Sequence, residues 1–128
     1  MNQVERVLIV DDDEISIFLT RRVLKNLGIG GAIQAANNGV EGLRIVKEMI
    51  RQGQPPQLIL LDIKMPVMDG FAFLEELEKL ENDDLSRTKI VLLSSSQNPW
   101  EMERAKKLNT TAFLHKPLAK EDLQRILG

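Results

Sequence analysis

Short apolar runs alternate along this chain with segments of helical period, and that alternation confines it to a parallel sheet covered by helices on both faces. Five such units can be counted. The first strand is read over Arg6 to Asp11, and the helix behind it starts at Asp13 or Glu14 with Ile15, Phe18, Leu19 and Val23 on its inward face. Gly28-Ile29-Gly30-Gly31 ends that helix. Strand two, Ala32 to Ala36, leads through Asn37-Asn38-Gly39 into a helix with Val40, Leu43, Val46 and Ile50 inward. Gly53 to Pro56 break the pattern before strand three, Leu58 to Leu61. The third helix begins near Gly70 and turns Phe71, Leu74, Leu77 and Leu80 toward the core. Strand four, Ile90 to Leu93, ends in Ser94-Ser95-Ser96. A fourth helix runs from about Pro99, favourable in a first turn, to Leu108, with Asn109 read as its left-handed stop. Strand five, Thr111 to His115, passes Lys116-Pro117 into a last helix, Lys120 to Leu127.

Strands one, three and four are nearly all apolar, whereas two and five carry Gln34, Thr111 and His115. The first three therefore belong in the interior and the other two at the edges, which gives the order 2-1-3-4-5. In a sheet so ordered the chain reverses direction between strands one and three, and ligands bind outside the carboxyl ends at that point. Asp11, Asp12 and Asp62 all fall there, and Ser94 and Lys116 end strands four and five. Like charges so close repel by about 4 kcal/mol per pair at ~4 Å and an effective dielectric of ~20, so the cluster calls for a cation. Mg2+ suits it best: it binds through one or two carboxylates, keeps several waters and leaves room for a phosphate.

With 128 residues, 43% of them hydrophobic, the chain is expected to form one domain over residues 1–128 with its own core. It has no cysteine, which suits a reducing cytoplasm and removes any thiol nucleophile. No apolar run approaches the roughly 20 residues that span a bilayer, and the first residues lack a signal-peptide pattern, so a cytoplasmic protein is expected. Seventeen basic residues against 19 acidic ones leave a net charge of -2, without the electrostatic footprint of a nucleic-acid binder.

Asp62 is a potential nucleophile, since a carboxylate can attack a phosphoryl group and hold it as an acyl phosphate when charge is screened. Lys116 offers a compact cation and Ser94 a hydroxyl donor for phosphoryl oxygens. Together these groups describe phosphoryl transfer driven by positioning and charge neutralisation.

The motifs Val10-Asp11-Asp12, residues 61–70 (LDIKMPVMDG), Leu93-Ser94 and Lys116-Pro117 closely resemble the receiver domain of bacterial two-component response regulators, of the single-domain, chemotaxis-regulator-like kind. The resemblance covers essentially the whole chain. It implies a flavodoxin-like fold and Asp62 as acceptor of a phosphoryl group from a histidine kinase or histidine phosphotransferase. It also implies Mg2+ held by Asp11, Asp12, Asp62 and the main-chain carbonyl of Lys64, with Ser94 and Lys116 on the phosphoryl oxygens. Phe113 would be the aromatic switch that turns inward as Ser94 moves, and the face of the fourth helix, fifth strand and fifth helix would carry the output. Ser95 stands where receivers usually have a smaller residue. Lys64 and Ser96 occupy positions that influence acyl-phosphate lifetime in the family, and Leu118 replaces a frequent Phe.

Several residues have plainer readings. Asp13 and Glu14 serve as a helix start, Asp69-Gly70 as a turn and helix start, and Met65-Pro66 as loop shaping. His115, the single histidine, is expected to face solvent and takes no catalytic role. Trp100 and Met102 are scattered surface residues or part of a docking face. A Mg2+-dependent phosphohydrolase of the haloacid-dehalogenase type needs a second acid two residues after its nucleophile, where this chain has Lys64. A flavodoxin's phosphate would be repelled by Asp11, Asp12 and Asp13. The expectation is a non-enzymatic switch, a monomer or a weak phosphorylation-dependent dimer. With no output domain after Gly128, it would signal through an unidentified downstream protein: a motor component, a phosphotransferase or a competing kinase.

Overall fold

The computed structural model describes residues 4–80, 85–108 and 110–128. Its elements are β1 (Arg6–Val10), α1 (Glu14–Asn26), β2 (Ala32–Ala36), α2 (Gly39–Arg51), β3 (Leu58–Asp62), α3 (Gly70–Glu78), β4 (Lys89–Ser94), α4 (Pro99–Lys106), β5 (Ala112–His115) and α5 (Lys120–Leu127). The five strands are parallel in the order β2-β1-β3-β4-β5, as the apolar content of the runs requires. The stop expected at Asn109 lies outside the described residues. Among the described residues, no helix is long and apolar enough to cross a membrane.

β1, β3 and β4 are buried on both faces, because successive side chains point to opposite sides of a sheet that helices cover twice. Leu8, Val10, Ile59, Leu61, Ile90 and Leu92 meet α2, α3 and α4 on one face. Val7, Ile9, Leu58, Leu60, Val91 and Leu93 meet α1 and α5 on the other. Each such side chain contributes about 1.5–3 kcal/mol when fully buried, so the central strands fix the sheet that everything else is hung on.

Side-chain caps start four of the helices. Asp13, Asn38, Asp69 and Asn98 each accept a hydrogen bond from a main-chain N–H in the first turn that follows. Pro99 occupies the first turn of α4, and Gly28, at φ 80°, follows α1 in the left-handed conformation.

Three of the four residues expected inward on α1, and one of the four on α2, face solvent instead. In α1, Ile15, Phe18 and Leu19 are 70%, 59% and 44% exposed, while Thr20 and Leu24 are buried and Ile17, Val23 and Leu27 pack beside them. The stripe 17-20-24-27 has the same helical spacing as the apolar one, and the docking of α1 over β1 and beside α5 selects it. In α2, Val40 is 51% exposed, and the inner face is built on Gly42, Leu43, Val46 and Met49. A Cβ at Gly42 would lie 3.0 Å from Val10 and 3.1 Å from Phe73, so this glycine lets α2 approach the sheet and turns Val40 outward.

Candidate functional site

The register of the sheet assembles the site. Val10 lies level with Leu61, so the next residues, Asp11 and Asp62, leave the sheet side by side. Ser94 lies level with His115, and the Lys116 N–H donates to the Ser94 carbonyl at 2.8 Å, which sets the Lys116 side chain over the same edge. The peptide bond from Lys116 to Pro117 is cis.

Asp11 is almost fully buried and fully engaged. One of its carboxylate oxygens accepts from the Asp13 N–H at 3.0 Å, and the other accepts from Ser16 Oγ at 2.6 Å and Lys116 Nζ at 2.8 Å. Lys116 also stands 3.3 Å from Asp62 Oδ1, bridging the two neighbouring carboxylates. Asp12, exposed beside them, completes a cluster in which one oxygen of each of Asp11, Asp12 and Asp62 lies within 4.8 Å of the others. A set of hard oxygen donors, two buried and one open to solvent, fits a small divalent cation that keeps part of its water shell.

Asp62 is held against its ordinary ionisation. Burial pushes its carboxyl up to about 6, and the charge of Asp11 adds to that, while Lys116 opposes it. The Lys116 ammonium is itself drawn down by burial, but its hydrogen bond to Asp11 and the charges of both aspartates leave it above the ordinary lysine range. Burial, more than the repulsion from Asp11, is what holds Asp62 back from ionising.

The loop after Asp62 is pinned by a close approach. Gly70 donates its N–H to the Ile63 carbonyl at 2.8 Å, and a Cβ on Gly70 would stand 2.6 Å from the Asp62 carbonyl oxygen. Within the loop Val67 has φ 69°, a left-handed conformation costly for a β-branched residue. Lys64 is exposed at the mouth, where a shallow cleft of about 500 Å³ is lined by Asp12, Lys64, Met65, Trp100, Glu101 and Arg104 among others.

Ser94 ends β4 and is buried, with its hydroxyl turned to α4 and donating to Glu101 Oε1 at 2.5 Å rather than facing the crevice. The structure therefore brings Asp11, Asp12, Asp62 and Lys116 together and leaves Ser94 adjacent with its proton committed elsewhere. Phe113 is half-buried on β5, packed toward the α4 side of the sheet, with its ring edge-on to the exposed His115 at 5.5 Å. Trp100 and Met102 are exposed on α4.

Two polar residues escaped the sequence reading. Ser16 lies on the first turn of α1, where its hydroxyl reaches Asp11, and Glu101 is buried at the start of α4. For Glu101 the faint signal is its place three residues after the Asn98 cap, the spacing of a capping box. The carboxylate turns to Ser94 instead.

The family model described as response regulator receiver domain matches residues 7–128. A two-component response regulator of Oryza sativa subsp. japonica is 34% identical over 123 residues, covering 96% of this chain and 91% of that one. A hybrid signal transduction histidine kinase of Dictyostelium discoideum is 33% identical over 123 residues, 96% of this chain but only 3% of the kinase, so the likeness is to a small part of that protein. Among solved structures, a two-component response regulator from Cytophaga hutchinsonii superposes with a TM-score of 0.89 at 25% identity, covering 96% of this chain and 93% of that one. Fold, crevice and relatives agree, and this chain belongs to the response regulator receiver domain family.

Proposed function

We propose that the chain is a phosphorylation switch of the cytoplasm, taking a phosphoryl group on Asp62 from a histidine kinase or histidine phosphotransferase in a Mg2+-dependent reaction. The convergence of Asp11, Asp12, Asp62 and Lys116 on one sheet edge is the observation that carries this reading. A carboxylate oxygen of Asp62 attacks phosphorus as the bond to the donor imidazole nitrogen breaks, and the imidazole leaves as the neutral base after taking a proton from solvent. Asp11, Asp12, Asp62 and the main-chain carbonyl of Lys64 would hold Mg2+. That ion supplies charge neutralisation for the incoming phosphoryl oxygens. Lys116, already between the two buried aspartates, exchanges its carboxylate partners for a phosphoryl oxygen, and Ser94 supplies a hydroxyl to another. Receivers are typically switches rather than enzymes, and here the only chemistry assigned is the gain and slow loss of the chain's own phosphoryl group.

The output is a change in the face made by α4, β5 and α5, with Phe113 turning inward as Ser94 moves toward Asp62, read by a downstream protein. Carrying such an equilibrium from about 1:99 to 99:1 takes roughly 5.5 kcal/mol of differential interaction, within reach of new charge-assisted bonds from Ser94 and Lys116. Incubation with acetyl phosphate and Mg2+ is expected to label the wild type, with a mass gain of one phosphoryl group by intact-protein mass spectrometry, and to leave Asp62→Asn unlabelled. Labelling that persists in Asp62→Asn moves the acceptor to another residue and rejects the assignment.

A further inference from the structure

Ser94 is paired in a buried contact with Glu101, a residue that the phosphoryl-transfer chemistry does not use. Ser94 is 2% exposed and Glu101 8% exposed, and Ser94 Oγ donates to Glu101 Oε1 at 2.5 Å. The same Oγ accepts from the Ser96 N–H at 3.0 Å, and Ser96 Oγ accepts from the Asn98 N–H at 3.0 Å. Asn98 in turn caps α4 through the Trp100 N–H. A continuous set of hydrogen bonds therefore runs from the end of β4 to the first turn of α4.

A serine hydroxyl carries one proton. While that proton lies on Glu101 it cannot be donated to a phosphoryl oxygen on Asp62, so the two bonds exclude one another. Breaking the first has a second consequence. Glu101 is left buried without the Ser94 hydroxyl that its carboxylate accepts from, and an unsatisfied buried carboxylate is costly enough to demand water or a new partner. Glu101 sits in the first turn of α4 and lines the open cleft shared with Asp12, Lys64 and Trp100, so a small displacement of that turn would hydrate it.

We propose that Glu101 is the latch of the resting switch: it withholds the Ser94 hydroxyl from Asp62 and pins the start of α4, making phosphoryl capture and release of that helix one event. This rests on the receiver reading above, in which Ser94 serves the phosphoryl group. Glu101 touches no reacting atom and acts as a positioning residue. Its effect is a tax on capture, because every ligand of the active arrangement must first displace it.

Beryllofluoride with saturating Mg2+, a stand-in for the phosphoryl group, tests this by isothermal titration calorimetry on the full chain, with Trp100 emission as a second readout. Trp100 is the only tryptophan, there is no tyrosine, and it neighbours Glu101. Glu101→Ala is expected to lower the half-saturating beryllofluoride concentration about tenfold, in the range a hydrogen bond to a charged group supports. Glu101→Gln, which keeps the shape and a weaker neutral acceptor, is expected to lower it about threefold and to shift Trp100 emission on binding in the same direction as the wild type. In a Ser94→Ala background the Glu101 substitutions are expected to have no further effect, since the bond they remove is already gone. The latch is overturned if folded Glu101 variants bind no more tightly than the wild type, or if the tightening persists without the Ser94 hydroxyl. Should Glu101→Ala fail to fold, Glu101→Gln alone decides, and an unchanged affinity rejects the proposal. A wild type that takes no beryllofluoride defeats the switch itself and the latch with it, an outcome distinct from wild-type binding that Glu101 does not influence.

Discussion

At Asp62, burial and the charge of Asp11 act against ionisation while Lys116 acts for it, and the opposition wins, with the carboxyl raised from 3.8 to about 6. A carboxyl raised on folding binds its proton more tightly in the folded chain, so its cost to stability is absent below about pH 4 and fully present above about pH 6. At about 1.4 kcal/mol per unit that cost is roughly 3 kcal/mol. Asp62→Asn in metal-free buffer is therefore expected to be more stable than the wild type by roughly 2–3 kcal/mol at pH 7.5, with the gain fading as pH falls toward 4. Urea denaturation across that range measures it, and a gain independent of pH would mean that ionisation of Asp62 is not its source. Relief can also come from a cation. Millimolar Mg2+ is expected to raise the melting temperature of the wild type by mass action, and to do so much less in Asp12→Asn, which removes one of the three clustered carboxylates. Equal shifts in the two proteins would place the ion elsewhere.

Each element reaches the site through a specific close contact, and those contacts make predictions of their own. Gly70 starts α3 against the backbone of Asp62 and Ile63, where a methyl group would meet atoms at 2.6 and 2.9 Å. Gly70→Ala must push α3 away from the end of β3, and a loss of about 2–3 kcal/mol is expected by urea denaturation, together with slower labelling by acetyl phosphate as Asp62 is displaced. α1 tests a different contact. Ile15 and Phe18 project from its first turns into solvent, whereas Leu24 is fully buried. Ile15→Ser and Phe18→Ser are each expected to change stability by no more than about 0.5 kcal/mol, and Leu24→Ala to cost about 2–5 kcal/mol. The reverse ranking would restore the apolar stripe that hydropathy alone selects.

Across the whole molecule, the parallel sheet was legible before any coordinate because its evidence is local and redundant. Apolar runs of strand length, broken by glycine, proline and asparagine, specify elements through backbone period and turn chemistry, and the polar content of β2 and β5 marks the edges. The acidic cluster and Lys116 were legible for a related reason, since a parallel sheet gathers the residues that follow its strands at one edge, whatever the details of packing. The inner faces of α2 and α3 were largely legible too, but that of α1 was not. The stripe containing Thr20 and the apolar stripe containing Phe18 have the same spacing, and only the docking of α1 onto the sheet beside α5 decides between them. Nor could the chain order show that Ser94 gives its proton to Glu101 or that Ser16 braces Asp11, because each bond depends on where a helix comes to rest against a strand end. Strand order and the charges at the sheet's edge thus follow from the sequence by itself, through backbone periodicity and burial. Which face of α1 is covered, and which polar atom holds which proton, was decided by tertiary packing, where ångström-scale placement selects among partners the sequence leaves equivalent.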